Sequence, residues 1–103
     1  MRIYCLRLGL FLLLALTGCG QTPQIGTDPS VFKAVDALYT AVSMRESTLL
    51  DRCNQTLQQL KTEGKLSERA WKSLGEIEDL ARAGQWKVAQ TQLADFMRGQ
   101  RPR

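Results

Sequence analysis

Between Val31 and Leu60 the apolar residues of this chain recur at the spacing of a helix. With Val35 set at zero and about 100° allowed per residue, Val31, Phe32, Leu38, Tyr39, Val42, Leu49, Leu50, Cys53, Leu57 and Leu60 all fall within about 60° of it. Strand alternation, which places every second residue on one face, does not compete with this pattern. A helix with one apolar stripe must bury that stripe against other helices. The stripe therefore fixes the fold class as all-α. Asp28-Pro29 supplies a start, with Asp as cap and Pro at the first helical position. Gly64 supplies a stop.

Two further helices follow. Ser67 caps a segment from Glu68 to about Ala83, with Ala70, Trp71, Leu74, Ile77, Leu80 and Ala81 facing the core and Gly84 ending it. A last helix from about Gln85 to Met97 buries Trp86, Ala89, Leu93, Phe96 and Met97, and Gly99 and Pro102 close it. At 1.5 Å per residue the first segment spans about 50 Å if unbroken, the others about 24 and 20 Å. The expected architecture is a small antiparallel helical bundle of three helices with a long first helix, or of four if that segment bends. The bend would fall at Ser43-Met44-Arg45-Glu46-Ser47, because Glu46 points at the centre of the stripe and a bare buried carboxylate is costly. The absence of Pro and Gly there favours one long helix, kinked at most.

The residues ahead of the body have a different grammar. Arg2 and Arg7 precede an apolar run, Leu8 to Leu16, and then Leu16-Thr17-Gly18-Cys19. A charged start, a short apolar core and small residues before a cut site are the layout of a secretory signal. The run is far short of the roughly 20 residues a spanning helix needs. Leu16-Thr17-Gly18-Cys19 resembles the lipobox of bacterial lipoproteins. That resemblance implies cleavage after residue 18, a diacylglycerol on the Cys19 thiol and an N-acyl chain on its amino group. Several acyl chains at about 0.8 kcal/mol per buried CH₂ would anchor the protein stably. Neither Gly20 nor Gln21 is the Asp that, in enterobacterial lipoproteins, retains the product in the inner membrane. The resemblance thus points to the outer membrane, facing the periplasm, or to the outer face of the cell membrane in a host with only one. Residues 19–29 would form the lipidated cysteine and a flexible tether, rich in Gly, Pro, Thr and Gln. Residues 30–98 would be the helical domain and 99–103 a basic, frayed tail.

This processing changes what the composition means. The 103-residue chain carries +4, but loss of Arg2 and Arg7 leaves twelve basic against ten acidic side chains. Of three cysteines, Cys5 leaves with the signal, Cys19 takes lipid and Cys53 alone remains in the body. The chain has no histidine, which removes Ser-His-Asp and Cys-His catalysis and imidazole metal sites. No phosphate loop, dinucleotide fingerprint, metal-ligand spacing or nucleophile elbow is present. No enzyme activity, cofactor, metal or small-molecule substrate is expected.

The run Leu57-Gln58-Gln59-Leu60-Lys61-Thr62-Glu63-Gly64-Lys65-Leu66-Ser67 continues with Trp71, Leu74, Ile77 and Leu80, then Gly84-Gln85-Trp86-Lys87-Val88-Ala89 and Leu93. Its helix–turn punctuation resembles the helical domain shared by the steroid receptor RNA activator protein and the C-terminus of the large COPII outer-coat subunit. The resemblance covers residues 57–97 and implies an antiparallel helical fold. The family domain has more helices than this chain can supply, so no functional residues are carried over.

Candidate sites are few. Cys53 lies on the stripe and reads as a core residue, or as an intermolecular disulfide partner in an oxidising compartment. Trp71 and Trp86 sit at core spacing, and either would also serve as a partner anchor. Glu76, Glu78 and Asp79, with Lys72 and Arg82 in helical spacing, read as a solvated, salt-bridged surface. Arg98, Arg101 and Arg103 give a basic tail that suits anionic headgroups; without interleaved aromatics it does not suggest nucleic acid. Met44, which points away from the stripe, and Glu46 complete the partner-contact candidates. The function expected is that of a lipid-anchored envelope protein acting by protein–protein contact, as accessory subunit, adaptor or small inhibitor. The alternative is a structural lipoprotein whose stripe pairs between chains as a helical, coiled-coil-like homodimer.

Overall fold

In the computed structural model, residues 22–101 are described. They form four helices, α1 (Pro29–Met44), α2 (Ser47–Thr62), α3 (Glu68–Arg82) and α4 (Trp86–Arg98), and no strand is present among them. Helix α1 packs on α2 and α4, and α3 packs on α2 and α4. With short turns between neighbours, this is a square, up-down-up-down bundle. Its core contains Val31, Leu38, Leu50, Leu57, Leu74 and Leu93 from all four helices.

The long first helix does not form. Helix α1 ends at Met44, and α2 restarts at Ser47. The Arg45 amide donates to Val42 O (3.2 Å) and the Glu46 amide to Ala41 O (3.1 Å). Arg45 itself is left-handed, at φ 56°. The same closure recurs after α2, where Gly64 N meets Lys61 O and Lys65 N meets Leu60 O, and after α3, where Gly84 N meets Ala81 O and Gln85 N meets Leu80 O. Those two turns have glycine at the left-handed position, with φ 78° and 85°. The first has arginine, and so carries no glycine signal. Folding back at this point lets both halves of the stripe bury each other, and it moves Glu46 from the stripe to an exposed turn.

Two caps follow the sequence. Asp28 accepts the Ser30 amide at 2.9 Å, and Ser67 Oγ accepts the Ala70 amide at 3.2 Å.

Residues 22–25, expected to belong to a flexible tether, are bound to the body. Ile25 is 2% exposed and part of the core. Its amide donates to Gln100 Oε1 (2.9 Å), and Gln100 Nε2 donates to Pro23 O (3.0 Å). Gln24 answers in kind: its Nε2 donates to Gly99 O (3.0 Å), and its Oε1 accepts the Arg101 amide (2.8 Å). Residues 99–101 are therefore not frayed. A buried isoleucine and two glutamines that satisfy backbone groups on each other's segments outweigh the flexible composition. Gly99 has an ordinary helical φ of −77°, and its lack of a side chain serves packing. A Cβ there would lie 2.2 Å from Thr22 Oγ1.

Candidate functional site

The up-down topology sorts the candidates between two poles. Met44 and Glu46 share the α1–α2 turn, and Trp86 opens α4 at that same end of the bundle. Gln90 Nε2 ties the faces together, donating to Ser43 Oγ (3.2 Å) and Tyr39 Oη (3.5 Å). Trp71 lies in the opposite half, in the second turn of α3, with Lys61 Nζ 5.6 Å above its ring and Glu68 3.3 Å from that ammonium. Both tryptophans are half-buried and pack on the core. Cys19, Cys5 and Arg103 lie outside the described residues.

Met44 is 59% exposed, more than Val88 at 42%, the other large apolar side chain that stands exposed among the described residues. It stands on the rim of a depression of about 420 Å³ lined also by Asp36, Tyr39, Thr40, Ser43 and Met97. A flexible thioether beside a second methionine and an aromatic ring makes an adaptable apolar contact. Glu46 caps α2 by position without a side-chain hydrogen bond to the helix. It is exposed next to Met44.

A second groove, of about 430 Å³, runs between α1 and α2. Ala34, Ala37 and Thr40 on one side face Leu49, Arg52, Cys53 and Thr56 on the other. The small side chains of α1 leave this space unfilled. Cys53 is only 8% exposed, and burial, reinforced by the nearby Glu78 carboxylate, pushes its thiol pKa up. A thiol held protonated in this way is a poor nucleophile. The core reading of Cys53 is the one its surroundings fit.

The acidic cluster on α3 divides. Glu76 and Asp79 are exposed, but Glu78 is 1% exposed, which overturns its reading as a solvated surface residue. The helical period explains the error. Glu78 lies four residues after Leu74 and three before Ala81, on the buried face. Its Oε1 accepts from Arg82 Nη1 at 3.5 Å, whereas Oε2 is buried with no partner. Arg82 Nη2 also donates to Asp51 Oδ1 on α2 at 3.0 Å, which holds the guanidinium firmly protonated. Burial pushes the Glu78 carboxyl up to about 7, against the opposing pull of Arg82. Glu78 lines neither groove nor the small depression beside Ile25 and Met97, so nothing in its surroundings offers it a substrate. No group of three or more metal-ligating side chains occurs among the described residues.

No described helix is long and apolar enough to cross a membrane. Compared with known proteins, the chain matches no family model, no curated protein and no solved structure.

Proposed function

We propose that this chain is a lipid-anchored protein of the cell envelope that acts without catalysis, by protein–protein contact, as an accessory subunit, adaptor or small inhibitor. The anchor rests on Leu16-Thr17-Gly18-Cys19 behind a charged and apolar leader. The contact reading is carried by the exposed Met44 on the rim of its Tyr39–Met97 depression. Apolar anchors entering a shallow pocket with a polar rim supply most of the binding energy of a protein interface. Asp36, Arg45 and Glu46, all exposed, give this surface a charged rim.

Two measurements test the proposal. Cys19→Ser should abolish fatty-acid labelling and leave an unprocessed precursor, and persistent labelling refutes the anchor. Affinity capture from detergent-solubilised envelope should recover a specific partner with the wild type and lose it, at least tenfold, with Met44→Asp. Glu76→Lys, on a different exposed face, serves as control. Equal recovery by all three proteins rules out the Met44 surface.

The unfilled Ala34–Ala37 groove favours one alternative, association of two copies through α1 and α2. Sedimentation of the Thr22–Arg103 fragment separates the readings, because self-assembly requires a concentration-dependent dimer.

A further inference from the structure

Two segments 75 residues apart are locked together at one pole of the bundle. Gln24 and Gln100 each bond the backbone of the other's segment, in both directions. Ser67 Oγ extends the lock to the start of α3 by donating to Gln24 O at 3.0 Å. Thr22 sits so close to Gly99 that no Cβ would fit between them. The chain is therefore held from Thr22 onward, seven residues ahead of α1.

This changes the geometry of an anchor at Cys19. Were the chain free up to Pro29, it would reach about 33 Å at 3.3 Å per residue, longer than the roughly 24 Å of a 16-residue helix. The body could then turn either pole toward the bilayer. With the lock closed from Thr22 onward, only three residue steps lead from Cys19 to the held chain, a reach of about 10 Å. Met44 stands at the far end of α1, about 22 Å beyond the lock. A leash of about 10 Å cannot bring that end to the lipid.

The charge distribution agrees. The lock pole (residues 22–33, 61–69 and 95–101) carries Lys33, Lys61, Lys65, Arg69, Arg98 and Arg101 against four carboxylates. The far pole (residues 41–52 and 76–88) carries four cations against five carboxylates. Lys33, Arg69 and Arg101 are exposed and form no ion pair among the described residues.

We propose that the lock pole is a lipid-facing surface that seats on anionic headgroups, so that the Met44 pole is presented away from the membrane. The seating rests on the lipid-anchor reading given above, and it adds an orientation that anchoring alone does not impose. Basic side chains within a Debye length of an anionic surface are attracted to it, and the attraction is screened by salt.

The two tryptophans are built-in rulers, since Trp71 lies near the lock pole and Trp86 at the far pole, about 16 Å further along the bundle axis. Full-length, lipidated protein is reconstituted in phosphatidylglycerol vesicles containing dansyl-labelled headgroups. Energy transfer is read from Trp71→Phe and Trp86→Phe, each of which leaves one donor. The expected result is transfer several-fold stronger from Trp71 than from Trp86. The contrast should weaken in high salt and collapse in Gln24→Ala/Gln100→Ala. Equal transfer from both positions in a chain whose mass shows lipid on Cys19 overturns the seating and leaves the anchor standing. A contrast that survives the double substitution overturns the role of the lock. One that is unchanged on phosphatidylcholine overturns the assignment of an anionic surface. A mature chain without lipid on Cys19 overturns the anchor and the seating together.

Discussion

Glu78 offers a direct measure of what one misplaced charge does to a small core. Its carboxyl is pushed up to about 7 in the folded protein, from 4.5 when exposed. That difference corresponds to about 3 kcal/mol between the protonated and ionised native states. The sign follows from proton binding. Between these two values the folded state holds the proton and the unfolded state has released it, so stability falls as pH rises. The favourable contribution is complete below pH 4.5 and lost above about 7. Glu78→Gln removes this titration while keeping the shape, and Glu78→Met also removes the oxygen that lacks a partner. At pH 8 the Met variant should be about 1–2 kcal/mol more stable than wild type, the gain being reduced by loss of the Arg82 contact. At pH 5 the Gln variant should match wild type within about 1 kcal/mol. Urea unfolding of Thr22–Arg103 followed by circular dichroism, at pH 5, 6, 7 and 8, measures both. The quantity to plot is variant minus wild type, in which the other carboxylates cancel. A difference that does not grow between pH 5 and pH 8 refutes the buried, neutral Glu78.

Further outcomes are expected at three positions. Arg45→Gly should raise stability by about 0.5–1 kcal/mol in the same urea assay, because glycine adopts the left-handed conformation at φ 56° without the Cβ penalty; a loss would mean that the Arg45 side chain makes a stabilising contact. Cys53 should alkylate at least about tenfold more slowly in the folded protein than in urea at pH 8, as its burial and raised pKa require. Equal rates would place the thiol on the surface. Gly99→Ala should speed amide exchange at Ile25 and Arg101, the donors of the lock, while the unfolding free energy changes by less than about 1 kcal/mol. Unchanged exchange would show that Thr22 can shift without opening the lock.

Much of the fold was legible because helices announce themselves locally. The stripe from Val31 to Leu60, the caps Asp28 and Ser67 and the stops Gly64 and Gly84 each act through residues within a turn or two of their own position. The partner candidates were legible only in part. Met44 could be placed off the stripe, but its depression needed Met97 from α4. The burial of Glu78 was available in the period of α3 and was obscured by the charged neighbours Glu76 and Asp79.

Periodicity thus carries the class of the fold and the buried face of each helix, since these depend on side chains three and four apart. The break at Arg45 was marked only by Glu46 falling on the stripe, a signal outweighed in the sequence by the absence of Pro and Gly. An arginine in a left-handed turn is locally unfavourable, and the packing of α1 on α2 makes it stable. The lock between Gln24 and Gln100 joins segments 75 residues apart through backbone groups that any sequence possesses. Contacts of that kind exist once the bundle has brought both ends of the chain to the same pole, and no local pattern encodes them.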